Sequence, residues 1–334
     1  TLSKVSIFFV VYSQYTFGTL NPSKFKKLLF SSFPYEASNF RLTSFWEVLA
    51  KTFTISGSEF EITSTGVLTF IEDPDYETDN LYRNDGSSFT RVTEDAGLRT
   101  YGLTLSATVG DLNNDSYPDL YISNDFSSPD FMYMNNGDGT FTDVVKESTN
   151  QTSFYGMGVD IADFNNDQYL DYIQVDMDAK DNRRSKANMA SMNPDLFWST
   201  VNYGFHYQYM HNTLQLNRRI KGNKPFFSNI SRLSGISSTD WSWGPLLADF
   251  DNDGWKDLFI SNGTRREINN KDYFNEINLR PMSNDSLLYY TNQIPSEPIS
   301  NFAFKNNKDL TFSDVSIDWG LDDKNFSNGA TYAD

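Results

Sequence analysis

From about residue 78 onward, apolar and polar positions alternate in short runs bounded by asparagine and glycine, the pattern of half-buried strands joined by tight turns. Residues 80–84 pair in this way with 89–92, 131–135 with 141–144, 213–217 with 227–230, and 302–306 with 312–315. Each pair brackets an Asn- or Gly-containing turn, so four β-hairpins are predicted. After each hairpin a glycine-containing run (102–105, 156–158, 241–244, 328–329) leads into an acidic segment, and three of these segments are followed by another apolar run (120–122, 172–175, 258–260). One unit therefore holds about four strands. Four antiparallel strands per unit, repeated about a central axis, is the β-propeller arrangement, and the predicted class is all-β.

The acidic segments share one frame. Asp249, Asp251, Asp253 and Asp257 occupy positions 1, 3, 5 and 9 of a nine-residue loop, with Gly254 at position 6. Upstream, Asp111, Asn113, Asp115 and Asp119 recur at the same spacing, as do Asp163, Asn165, Asp167 and Asp171. A chain gathers that many carboxylates at one point when a hard divalent cation offsets their repulsion, and oxygen ligands at this spacing point to calcium. An EF-hand begins alike but needs a Glu at position 12 and flanking helices; here position 12 is Ile260 and the flanks read as strands. A single copy would fit an Asx-rich turn without metal equally well. Three copies favour about three calcium sites.

Spacing sets the architecture. Asp163 lies 52 residues after Asp111, close to the roughly 40–50 residues of one propeller repeat. Asp249 lies 86 residues further on and Asp334 another 85, so two units carry insertions, at about 178–209 and 264–298. The first is predicted to be mainly helical over 180–192, followed by an aromatic stretch with Trp198, Tyr203, Phe205, Tyr207 and Tyr209; the second is polar. Those aromatics suit either packing against their own unit or a stacking platform for a ligand. Without the insertions about five units remain, and Ala333 and Asp334 open another acidic segment where the sequence stops, so a partial propeller truncated at its C-terminus is expected. Residues 1–77 lack the acidic frame and read as a poorly defined region or a degenerate blade, with strands near 52–55, 59–62 and 67–71 and a helical turn near 43–50.

The net charge of −17 argues against nucleic acid or an anionic membrane surface as partner. Absence of cysteine removes disulfides, thiolate metal sites and a thiol nucleophile. His206 and His211, five apart, suit neither a helix face nor a zinc pair. The apolar run at 5–11 is far shorter than the roughly 18 residues of a membrane span, so no transmembrane segment is expected and any surface anchoring would come from regions outside this sequence.

The paired signatures, an Asp-rich loop and a hairpin such as NNGDGTFTD, resemble the FG-GAP/VCBS repeats of integrin-α-like propellers over about residues 78–334. The strings SFYGMGVDIADFNNDQYLD, GFHYQYMHNTLQLN and TDWSWGPLLADFDNDGWKDLFISNGTRRE are similar, more narrowly, to bacterial ASPIC/UnbV-associated, cartilage-acidic-protein-like VCBS proteins. The resemblance implies a calcium-bearing propeller, usually seven-bladed, of which about four to five blades are present, on an exported or surface-attached protein. It carries the metal positions onto the three loops above and adds the carbonyls of Tyr117, Tyr169 and Trp255 as position 7 ligands. Neutral Asn113 and Asn165, with Ser116 and Gln168 where glycine turns freely, predict weaker binding in the first two loops than at 249–257. The expected function is a non-enzymatic, extracytoplasmic module that binds a protein or carbohydrate ligand. A polysaccharide lyase or hydrolase and a purely structural scaffold are the alternatives.

Overall fold

The alternating runs form antiparallel ladders. In the computed structural model the described residues are 60–62, 68–70 and 79–332, apart from 99–101, 127, 190–191, 223 and 279–283. Three successive four-stranded meanders follow the predicted order. The first sheet comprises Leu103–Gly110, Asp119–Asp125, Phe131–Asn135 and Phe141–Asp143. The second comprises Val159–Ala162, Asp171–Gln174, Thr213–Lys221 and Lys224–Asn229; the third, Asp240–Ala248, Asp257–Asn262, Phe302–Asn306 and Phe312–Asp314. A short strand, Met177–Asp178, leaves the second sheet and adds to the first strand of the third. The earliest predicted hairpin is present as Tyr82–Asn84 paired with Phe89–Arg91.

The first sheet is covered on both faces, which is why Asp119–Asp125 is inaccessible along almost its whole length. Period-two alternation then divides its side chains: Leu120 and Ile122 pack with Leu81, Ala96 and Leu98 of the preceding hairpin, whereas Tyr121 packs with Val159, Tyr172 and Phe227 of the second sheet. Phe164, Ile173 and Leu214 then meet Leu247, Leu258 and Phe304 between the second and third sheets. The first strands of successive sheets are neighbours, joined where Thr108 donates to the Val159 carbonyl at 3.0 Å and where the Leu247 N–H donates to Asp160 at 2.7 Å. Gly158 is required there: its N–H donates to the Trp243 carbonyl, and a Cβ would sit 2.4 Å from that oxygen.

Strand direction fixes what lies at each end of a sheet. The acidic loop joins strands one and two, and the hairpin turn joins strands three and four, so both lie at one end. The connection from strand two to strand three lies at the other, and the first insertion is such a connection. It holds two helices, not one: Asp181 accepts the Arg184 N–H to start Asn182–Ala187, and Asn193 accepts the N–H groups of Asp195 and Leu196 to start Pro194–Asn202. Trp198 is thus helical.

The chain divides into two units, and the three sheets belong to the one that contains residues 79–269 and 296–332. Within the other, Asn270 caps the helix Lys271–Ile277 by accepting the Tyr273 N–H, and a second helix spans Asn284–Gln293. The second insertion, read as merely polar, is therefore helical as well. Phe60–Ile62 pairs with Leu68–Phe70 as two of the N-terminal strands expected; the helical turn near 43–50 and the strand near 52–55 lie outside the described residues. Asn328 and Gly329 lie in chain without strand pairing.

Candidate metal centre

Each acidic loop is wound by its own carboxylates. The position 1 carboxylate accepts the N–H groups of positions 5 and 6: Asp111 from Asp115 and Ser116 (3.0 and 2.8 Å), Asp163 from Asp167 and Gln168 (3.1 and 2.8 Å), Asp249 from Asp253 and Gly254 (3.0 and 2.8 Å). The position 5 carboxylate accepts the N–H of position 7, Tyr117, Tyr169 or Trp255. To close this winding the backbone turns left-handed twice, at Asn114, Asn166 and Asn252 (φ 55–59°) and at Ser116, Gln168 and Gly254 (φ 72°, 72° and 85°). Position 6 therefore takes the conformation glycine prefers even where it is serine or glutamine.

The position 9 carboxylate is buried and ties two pieces of chain together. Asp119 accepts the N–H of Leu112 and of Asn135, Asp171 those of Phe164 and Asn217, and Asp257 those of Phe250 and Asn306. The three asparagines open the hairpin turns. Their side-chain oxygens accept the N–H of Gly137, Arg219 or Lys308, and their amides donate to the position 8 carbonyls of Pro118, Leu170 or Lys256. The acidic loop and the hairpin asparagine, read as separate signatures, are thus one hydrogen-bonded structure. Burial pushes the Asp119 carboxyl up to about 6 and that of Asp171 up to about 8, against the opposing pull of these N–H donors.

The loops are also linked to one another. Asn217 and Asn306 reach back to the position 2 carbonyls of the preceding loop, Leu112 and Phe164. Asn114 and Asn166 reach forward to the position 6 carbonyls of the next, Gln168 and Gly254, at 3.0 Å each. Asparagine at position 4 of all three loops was the visible signal for this link.

In the third loop, Asp249, Asp251 and Asp257 bring one oxygen each within 4.8 Å of one another, a spacing that suits a single hard cation. Asn113 and Asn165 stand where Asp251 does and offer a neutral amide oxygen, here accepting the Asp115 or Asp167 N–H at 3.2 Å. Sequence reasoning missed two cations at the third loop: Lys305 contacts Asp251 and lies 3.4 Å from Asp253, and Lys308 lies 3.2 Å from Asp253. Desolvation pushes the Asp253 carboxyl up, but Lys308, the Trp255 N–H and Lys305 outweigh it and hold the group below its ordinary value. Four carboxylates beside two lysines leave less net negative charge than the three carboxylates of either other loop, which works against the expected ranking.

At the opposite end of the sheets lie polar groups that the sequence did not flag. Asp130 accepts from the Asn124 N–H, the Tyr121 hydroxyl and the Gln174 amide, while Asp176 accepts from the Ser153 hydroxyl and the N–H groups of Phe154 and Tyr155. Burial pushes Asp130 and the neighbouring Asp125 up to about 7 and Asp176 up to about 6. Arg184, on the first helix of the insertion, is buried against Asp240, Glu267 and Glu297 at 2.6, 2.7 and 3.0 Å. His206 and His211 are buried too, on Thr149 and on Gln151 with Asn229 respectively.

Residues 115–173, from position 5 of the first loop into the second strand of the second sheet, match the family model described as an FG-GAP-like repeat. That places the sheet-and-loop unit in a class of repeat.

Among characterised proteins, the chain is similar to cartilage acidic protein 1, at 25% identity over 203 residues for Xenopus tropicalis and 24% over 202 residues for Homo sapiens. Each alignment covers 52% of this chain but only 31% and 30% of the relative, so the likeness reaches less than a third of the relatives' length. Among the described residues no helix is long and apolar enough to cross a membrane.

Proposed function

We propose that this chain is part of a calcium-bearing β-propeller on an extracytoplasmic protein, and that it presents its insertions to a protein or carbohydrate ligand without catalysing a reaction. The carrying observation is the threefold recurrence of one loop, with the same ligand-type residues, the same two left-handed turns and the same tie to the hairpin asparagine, at one end of three successive sheets. Packing of the sheets through neighbouring first strands supports a propeller. The FG-GAP-like match and the likeness to cartilage acidic protein 1 support the extracytoplasmic reading.

The ions would be held by Asp111, Asn113, Asp115 and Asp119, by Asp163, Asn165, Asp167 and Asp171, and by Asp249, Asp251, Asp253 and Asp257, with the carbonyls of Tyr117, Tyr169 and Trp255 completing each set. Their role is mechanical: at free calcium 100 times the dissociation constant, each site adds about 2.7 kcal/mol to stability. Thermal melts in millimolar calcium and in chelator test the reading. A large calcium-dependent rise in melting temperature, reduced in Asp251→Ala, is expected; identical melts in both conditions would sink it.

A further inference from the structure

The end of the second sheet opposite its acidic loop holds a cleft of about 370 Å³, within the range of small-ligand sites. One wall is the ring of Tyr209, which is 37% exposed and backed by Phe197 at 5.3 Å between ring centres. Beside it His211, only 6% exposed, has its Nε2 within 3.1 Å of both the Gln151 and Asn229 amides. With both amides donating, that nitrogen is an unprotonated acceptor; burial, and then the charge of Arg232, keep the imidazole neutral by pushing it down to about 4.

Two residues that line the cleft have side chains with no hydrogen bond or ion pair among the described residues. The Ser231 hydroxyl is fully buried and makes no hydrogen bond among the described residues, a condition that costs about 1–3 kcal/mol unless a ligand or water relieves it. Arg232 is exposed and forms no ion pair among the described residues, although Asp178 lies near enough to feel its charge. The lining is therefore an aromatic face, amides, a hydroxyl and one guanidinium.

That combination selects by chemistry. An aromatic face takes the C–H face of a sugar ring, amides and hydroxyls match ring hydroxyls, and a guanidinium forms a bidentate pair with a carboxylate. A phosphate or sulfate dianion would meet only one cation, and a nucleic acid would meet a chain of net charge −17. The geometry points to a binding site for a carboxylate-bearing sugar, a uronic acid unit of a glycan, between Tyr209 and Arg232. The assignment rests on reading the chain as a ligand-presenting module and names the ligand class. Trp198, 56% exposed and 5.2 Å from Phe197, extends the aromatic surface for a longer glycan.

Saturation-transfer and titration NMR on the full chain in millimolar calcium, with methyl glucuronide and methyl glucoside, tests it. The two probes differ in the carboxylate. The glucuronide is expected to bind about tenfold more tightly, the scale of one charge-assisted hydrogen-bonded pair. Arg232→Ala should bring it down to the glucoside's level with the melting temperature unchanged, and Tyr209→Ala should weaken both. Equal binding of the two probes, binding of neither, or glucuronide binding that survives Arg232→Ala but is lost in Asp251→Ala would overturn the assignment. Calcium-dependent melting is read on the same samples: if it persists while the sugars fail, the site alone is wrong, and if it is absent, the module reading is wrong.

Discussion

The side-chain amide of Asn166 donates to the carbonyl of Gly254, 3.0 Å away and 88 residues further along the chain. It fastens one acidic loop to the next, as Asn114 does to Gln168. Removing it should cost about 0.5–1.5 kcal/mol, or a few degrees of melting temperature. Asn166 is also left-handed, so Asn166→Ala mixes the lost bond with backbone strain, whereas Asn166→Gly removes the bond without added strain but with the entropy glycine adds to the unfolded chain. Both variants should melt below the parent, and Asn166→Gly should also make calcium titration of the second and third loops less interdependent. Unchanged titration curves would show that the link carries no coupling.

Position 6 offers the opposite change. Gln168 holds φ 72° with a side chain that glycine would not have to accommodate. Gln168→Gly should raise stability by about 0.5–1 kcal/mol, the relief of left-handed strain less the entropy glycine adds to the unfolded chain. Chemical denaturation with chelator present reads the backbone effect apart from any ion.

Lys305 and Lys308 sit where a cation at the third loop would bring its charge. Lys305→Met should strengthen calcium binding there by roughly two- to fivefold at low salt, with the gain shrinking as ionic strength rises. Titration calorimetry of the parent and the variant gives the comparison, and a weaker site in the variant would contradict it.

Asp125, Asp130 and Asp176 have carboxyls raised to about 7, 7 and 6 by burial. A carboxyl raised in the folded state contributes stability that is full below its unfolded value near 4 and is lost as pH rises through the folded value. In chelator, the protein should therefore be more stable at pH 5 than at pH 8. Asp119 and Asp171 add in the same sense. Asp130→Asn should flatten the slope and outlast the parent at pH 8; a parent melt that rises from pH 5 to 8 would refute this.

Arg184 is the buried cation for Asp240 and Glu267. Arg184→Ala leaves both carboxylates inside without it and should cost about 3–5 kcal/mol. Arg183, exposed on the same helix and paired with Glu297, should matter far less when replaced by alanine. Denaturation of the two variants side by side separates the buried pairings from the surface one.

The loops and hairpins were legible because their information is local. Asp111 to Asp119 and the asparagine-led turns are fixed by neighbours a few residues away, and the alternation of Leu120, Tyr121 and Ile122 already says that both faces are covered. What escaped was long-range. Lys305 reaches Asp251 across 54 residues and Gln174 reaches Asp130 across 44, and neither pairing has a spacing rule. The helix Asn284–Gln293 escaped for another reason: it has no strong apolar periodicity, and packing sets helices more than propensity does.

Because strand direction puts the acidic loops at one end of each sheet and the connection bearing Tyr209 at the other, the loop frame and the proposed sugar site are built from separate stretches of chain. Within residues 178–209, Arg184 and Met189 are held in the interior, so the part open to exchange is the exposed stretch around Trp198 and Tyr203, which lies away from the acidic loops.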